Sequence, residues 1–475
     1  MTGDLIDELS SILGGGLLVG EQDRRTRARD YWVRSEIDQW QGRLDLPTAV
    51  AAPATVAEMV EVVALCRARS VPIVTRGAGS GVVGGVLASP DGIVVSTERL
   101  VGGGSVDDVD LVATFGAGTL GIDAENRVQA GGCTIGHWPQ SIDRSTVGGW
   151  VATRASGQYS TAYGNIEDVV HSLEAVLPDG SVYRSRATPR AASGPDLRHL
   201  LIGSEGTLGI ITEVTFSLRP LPEPGVRQAF HFADMATGID AVRSVVVPGW
   251  RPPVVRLYDP RESRRHFGEH VPKGRCVVIF LHEGPPGHAP LEAAAVADLC
   301  RAAGGEAADP SAVDRWFDVR NDVPSWTELF EQGLLVDTIE VATGWRDLAR
   351  LYHAVADAVG AVPGVIAATA HSSHAYRSGA NLYFTFAAQP AEPSDFRATY
   401  DACWQAAMTA TTALGAGIAH HHGIGRVRRD WLVHELGPAG VELLRAVKRA
   451  LDPDDLMNPG VLVPADRDRV AEDEV

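Results

Sequence analysis

Residues 145–168 read STVGGWVATRASGQYSTAYGNIED, and this stretch organises the rest of the chain. Gly148, Gly149, Ala152, Ala155, Ser156 and Gly157 crowd it with small residues. Glycine and alanine let a backbone come within hydrogen-bonding distance of a flat ligand with no side chain in the way. Thr146, Thr153, Arg154 and Ser156 add donors. Small residues and donors together suit a bound cofactor better than a packed core. The alternative is a loop-rich substructure whose glycines only serve turns.

Working outward, Thr55 and Glu58 form a capping box, with Val56, Met59, Val60 and Val63 at helical spacing behind it. The helix ends near Ser70, and the apolar run 71–74 reads as a buried strand. It feeds RGAGSGVVGG at 76–85, where Gly79, Gly81 and Gly84 match the dinucleotide pattern GxGxxG. That pattern needs a helix directly after it. Here Pro90, Asp91 and Gly92 lead to a second strand at 93–96, which argues against a Rossmann site. The glycine loop is either an anion nest for a diphosphate or a glycine-rich turn. Downstream, runs 169–177 and 181–183 predict a hairpin turning at Asp179-Gly180. A third small-residue stretch, GSEGTLGII at 203–211, enters a strand at 213–218. Pro220, Pro222 and Pro224 then stiffen a linker and mark a domain boundary.

The 475 residues suggest two or three domains, and 45% hydrophobic with 21% charged residues is ordinary for a globular protein. A net charge of −18 disfavours nucleic acid and anionic membrane as partners. No apolar run approaches the ~18 residues of a bilayer span, and the N-terminus lacks a signal peptide's basic region. Cys66, Cys133, Cys276, Cys300 and Cys403 form neither a CxxC pair nor a disulfide framework, which points to a reducing cytoplasm.

Residues 1–45 read as a helical lead-in without chemistry of its own. Beyond the linker, strands at 254–258, 276–281, 335–342 and 382–387 alternate with helices at 291–303 and 345–359. Arg256 and Arg320 lie on otherwise apolar patterns, as structural ion-pair members or as anion ligands. His420, His421 and His422 stand between Gly417 and Gly423. Three consecutive side chains cannot share one face of a regular element. Neutral imidazoles suit proton transfer near neutral pH; a metal-binding or merely polar loop is the alternative. Tyr383 sits in the alternating run LYFTF, where a tyrosine is usually core.

The glycine loop, TVGGW, TRASG, YGNIEDVV and GSEGTLGIIT, in this order, resemble the FAD-binding domain of the vanillyl-alcohol-oxidase (PCMH-type) flavoproteins. Within them, GHWPQS, TVGGWVATRASG and SGPDLRH are most similar to the alkyldihydroxyacetonephosphate synthases, over about residues 45 to 465. The resemblance implies an α+β fold: a PCMH-type two-subdomain FAD-binding domain at 46–224, an antiparallel-sheet cap at 225–410, and a segment 411–475 returning to the FAD domain. It implies FAD contacts from Thr75, Arg76, Gly77, Ala78, Gly79, Ser80 and Gly81, and from Gln140, Ser141, Ser145, Thr146 and Gly149. Thr153, Arg154, Ala155, Ser156, Glu205, Gly206, Gly209 and Ile211 complete the set. Some relatives attach FAD through a loop histidine; Ser80 and its neighbours include none, so non-covalent FAD is expected.

The same resemblance makes Tyr383, His374, His420, His421 and His422 catalytic and gives Arg320 and Arg256 to the substrate. Related 2-hydroxy-acid dehydrogenases hold a metal with a Glu-His-Gly motif and an upstream histidine; here His421 and Tyr383 stand in those places, so no metal is expected. The implied reaction exchanges the acyl group of an acyl ketone phosphate for an alcohol through a flavin N5 adduct. The alternative is FAD-dependent oxidation of a 2-hydroxy acid or related alcohol. A flavin-binding protein without catalysis is disfavoured by the polar cluster. The expected partners are a small anionic substrate and a second copy in a homodimer.

Overall fold

The structure, a computed structural model, describes residues 2–464; of the expected segment 411–475, residues 465–475 lie outside the described residues. The first sheet orders its strands Leu17–Leu18, Ala49–Ala51, Ile93–Ser96, Ile73–Arg76. Its central strand is fully buried and pairs in parallel with both neighbours, which suits its run of β-branched residues. The helix Val56–Ala68 covers this sheet through Met59, Val62, Val63 and Cys66. Thr55 caps it by accepting from the Glu58 N–H at 3.1 Å, and Glu58 accepts from the Ala54 N–H at 2.7 Å. The glycine loop leaves Ile73–Arg76 and reaches Ile93–Ser96 with no helix between them, unlike a Rossmann unit.

A second, antiparallel sheet orders Val112–Gly116, Ile210–Ser217, Val170–Val176 and Val182–Arg184, the last two being the hairpin around Asp179-Gly180. The organising stretch packs on it as three short helices, Val147–Thr153, Ser160–Tyr163 and Ile166–Val169, rather than as loop. Trp150 anchors it: the indole is buried beside Phe216 and donates to Ser145 Oγ at 2.8 Å.

The third sheet has eight strands. They run Glu306–Ala308, Val226–Phe232, Cys276–His282, Val254–Tyr258, Val365–Ser372, Gly379–Ala388, Leu335–Gly344, with Ala375–Tyr376 on Gly379–Ala388, all antiparallel. The period of two along each strand divides its side chains between two faces. Leu257, Ala370, Leu382, Phe384 and Phe386 pack under the helices Met235–Val246, Leu348–Gly360 and Phe396–Ala413. Arg256, Tyr258, His371, Tyr383 and Thr385 are left for the opposite face. Of these strands, Val226–Phe232, Glu306–Ala308, Val365–Ser372 and Ala375–Tyr376 go beyond those expected from sequence; VIAATAHS in Val365–Ser372 is alanine-rich and weakly patterned.

The first 45 residues are more than a lead-in. They supply the edge strand Leu17–Leu18, place Asp30 and Tyr31 on the central cavity, and tie Trp32 Nε1 to the Tyr400 hydroxyl at 2.8 Å. Among the described residues no helix is long and apolar enough to cross a membrane, and all five cysteines are free and buried.

Candidate active site

A cavity of about 640 Å³ separates the glycine-rich segments from the open face of the large sheet. All the expected cofactor-contact residues line it except Arg76 and Arg154. Arg76 folds back onto its own loop, donating to the carbonyls of Gly77 (3.0 Å) and Ala78 (2.8 Å). Arg154 takes a left-handed φ of 52° at the end of Val147–Thr153 and pairs outward with Glu167 at 2.8 Å. Glu205 lines the cavity, but its carboxylate accepts the N–H groups of Ile424 (2.7 Å) and Gly425 (2.8 Å); burial pushes its pKa up to about 7. Gly77 has no room for a side chain, since a Cβ there would overlap Thr146 Oγ1. Thr75 Oγ1 and Gln158 Oε1 on the same wall are buried without a hydrogen-bond partner among the described residues. A cradle of small residues with orphaned polar atoms fits FAD.

The facing wall carries titratable groups. The Tyr383 hydroxyl donates to Thr338 Oγ1 at 3.1 Å, and burial raises its pKa to about 12, so it stays protonated. Among the described residues, Tyr383 makes no direct hydrogen bond to the histidines. The contacts are ring to ring, stacked on His371 at 4.8 Å, with His422 edge-on at 5.4 Å and His421 at 6.0 Å.

The loop carrying His420 to His422 is held by its backbone. The N–H groups of His420 and His422 donate to Glu340, the latter at 2.9 Å. Glu340 also pairs at 3.1 Å with Arg428, and both side chains are fully buried. Glu205 holds the N–H groups of Ile424 and Gly425 just beyond, so carboxylates from two sides clamp the loop. His421 and His422 then line the cavity, whereas His420 does not. His420 turns away because Nε2 meets the Tyr376 hydroxyl at 2.8 Å and Nδ1 meets His421 Nδ1 at 2.9 Å. Tyr376 accepts from Asn165 Nδ2 at 3.1 Å, and Asn165 Oδ1 accepts from Ser156 at 2.7 Å, so a hydrogen-bonded chain links the glycine wall to His421. His374 lines the cavity against the His420 and His421 rings, with Nδ1 on Ser373. Burial depresses all four imidazoles, His420 to about 4 and His422 to about 3, so they are neutral at pH 7.

Ring nitrogens of His374, His420 and His421 lie within 4.8 Å of one another, a donor set that could take a divalent cation. His420, however, spends both nitrogens on Tyr376 and His421.

Arg320 lines the cavity inside an aromatic box, 4.5 Å from Phe317, 4.7 Å from Trp138 and 5.5 Å from Trp316, and donates to the Tyr159 hydroxyl at 2.7 Å. Arg256 donates to the Tyr258 hydroxyl at 2.8 Å and meets His371 Nε2 at 3.0 Å. Sequence reasoning missed Glu340, Arg428, Tyr376, His371 and Glu262. For Glu340 a signal existed, an acid inside the strand-like run LVDTIEV.

Fold and cavity together define a flavoenzyme class: a small-residue cradle for a flat cofactor, closed by an antiparallel sheet bearing titratable side chains. The FAD binding domain family matches residues 47–186, and the C-terminal domain family of FAD linked oxidases matches residues 221–462. The chain belongs to this vanillyl-alcohol-oxidase (PCMH-type) family of FAD-linked enzymes. It is 31% identical to YgcU of Escherichia coli, an uncharacterized FAD-linked oxidoreductase, over 98% of this chain and 99% of that protein. It is 28% identical to alkyldihydroxyacetonephosphate synthase of Dictyostelium discoideum, over 88% of this chain and 73% of that protein. A solved alkyldihydroxyacetonephosphate synthase superposes with a TM-score of 0.80 at 25% identity, over 96% of this chain and 84% of that one.

Proposed function

We propose that this chain exchanges the acyl group of an acyl ketone phosphate for an alcohol. The observation that supports this best is that Arg320, Tyr383, His421 and His422 line one cavity beside the FAD cradle. FAD, held without a covalent bond, supplies an electron-poor ring nitrogen and a reversible two-electron store. Arg320 binds the phosphate, its charge shielded from water by the aromatic box. His421 is neutral and takes the proton from the carbon beside the ketone, while its Nδ1 is braced by His420 and Tyr376. Tyr383 is protonated and donates its proton to the departing carboxylate. It takes back the proton of the incoming alcohol as the alcohol oxygen bonds to the same carbon, to which His421 returns the proton it removed. His374 and His422 shape the space around His421. None of these steps calls on a metal.

The test is incubation with an acyl ketone phosphate and an isotope-labelled long-chain alcohol. The expected result is free fatty acid and label in the ketone phosphate; no exchange, with FAD bound, would overturn the reading. The second reading, oxidation of a 2-hydroxy acid or related alcohol, is favoured by the end-to-end match to an FAD-linked oxidoreductase.

A further inference from the structure

We propose that Glu262 and His371 are positioning residues that hold Arg256 as a second anion-binding group facing Arg320. This extends the reading that the substrate is anionic.

The protonation pattern follows from donor chemistry alone. Arginine has five N–H donors and no acceptor. At 3.0 Å from Arg256 Nη2, His371 Nε2 therefore accepts, and the imidazole proton sits on Nδ1. Nδ1 faces Glu262 Oε2 at 2.8 Å and donates to it. Glu262 is 1% exposed, and its other oxygen takes Thr369 at 2.9 Å and Arg265 at 3.4 Å. The chain runs carboxylate, imidazole, guanidinium, with one direction of donation.

This arrangement does what a direct ion pair cannot. A carboxylate on Arg256 would consume its donors and cancel its charge toward the cavity. With an imidazole between them the carboxylate stays behind the wall. Arg256 spends one N–H on Tyr258 and one on His371, and no other contact takes the remaining three among the described residues. Neither Arg256 nor Arg320 has a carboxylate partner among the described residues, and both stand 5.5 Å from the Trp316 ring. Both guanidiniums line the same cavity, a disposition that suits a dianionic head group. The stacking of His371 on Tyr383 ties the clamp's position to the tyrosine.

Sulfate is the probe, a tetrahedral dianion that does not titrate near neutrality, followed by its perturbation of the flavin spectrum in the FAD-loaded protein. His371→Leu removes the acceptor, and sulfate binding should weaken about tenfold or more, as expected for losing an aligned charged donor. His371→Gln, whose amide can accept from Arg256 and donate to Glu262, should stay within about threefold of the parent. Nitrogen-15 histidine spectra of the parent, assigned with the Gln variant, should place the His371 proton on Nδ1. Parent-like sulfate affinity in an FAD-loaded His371→Leu protein would overturn the proposal. A proton on Nε2 would overturn it whether or not the Leu variant folds. None of these readouts needs turnover: a protein that meets them but exchanges no acyl group defeats the proposed reaction and leaves this clamp standing.

Discussion

On the glycine-rich wall of the cavity, recognition belongs to the backbone: Gly77 has no room for a Cβ, Gly206 sits at a φ of +75°, and Arg76 and Arg154 point elsewhere. On the sheet wall it belongs to side chains, Tyr383, His371, His421 and Arg256, whose directions are set by residues one layer back. A backbone cradle is specified largely locally: Gly206 answers to its own left-handed turn, although Gly77 is closed off by Thr146 from another segment. A side-chain wall is specified at a distance, because Glu340 must reach a loop eighty residues later in the chain.

The sharpest way to break this contrast is Glu340→Ala. It strands the fully buried Arg428 and frees two N–H groups of the histidine loop. Removing one partner of a buried pair costs about 3–5 kcal/mol, so a large fall in the unfolding midpoint is expected. A midpoint near that of the parent would mean that the loop is held otherwise.

Tyr383→Phe comes next. The fold and FAD should remain, since the ring contacts survive and one hydrogen bond to Thr338 is lost. Turnover should fall ~10²-fold, the usual range for an acid–base group. Full activity would make Tyr383 a packing residue.

On the other wall, Gly77→Ala pushes Thr146 off its cap on Val147–Thr153, where it accepts from the Gly149 N–H at 3.3 Å. Loss of a cap costs about 0.5–2 kcal/mol, and FAD content should drop with stability. Unchanged flavin content would argue against a tight cradle.

The smallest effect is a displaced pH profile. A depressed imidazole pKa keeps the neutral, proton-accepting form to lower pH, so the rate should fall only at a pH well below the ordinary histidine value, because burial holds His421 down. An acid limb at the ordinary histidine value of ~6.5 would show that the cluster is solvated.

The difference between the walls also explains what the sequence disclosed. The glycine segments, the hairpin at Asp179-Gly180 and the histidine run were legible because small residues and turns carry their own geometry. Tyr383 was placed through resemblance, and its alternating strand agrees with the face it occupies. Glu262 and His371 were not legible: they meet only because Val254–Tyr258, which leads into Glu262, pairs with Val365–Ser372, a strand hidden by its alanines. Tyr376 escaped for a similar reason, its role depending on Asn165 and His420 arriving from distant segments.

The central claim is proton chemistry on an anionic ketone beside FAD, with no net oxidation and no metal. Chelator-treated, FAD-loaded protein, mixed anaerobically with an acyl ketone phosphate and a fatty alcohol, tests it directly. The account predicts alcohol incorporation over many turnovers with the flavin spectrum returning to that of the oxidised form. Lasting flavin bleaching by a 2-hydroxy acid, with no acyl exchange, would contradict it.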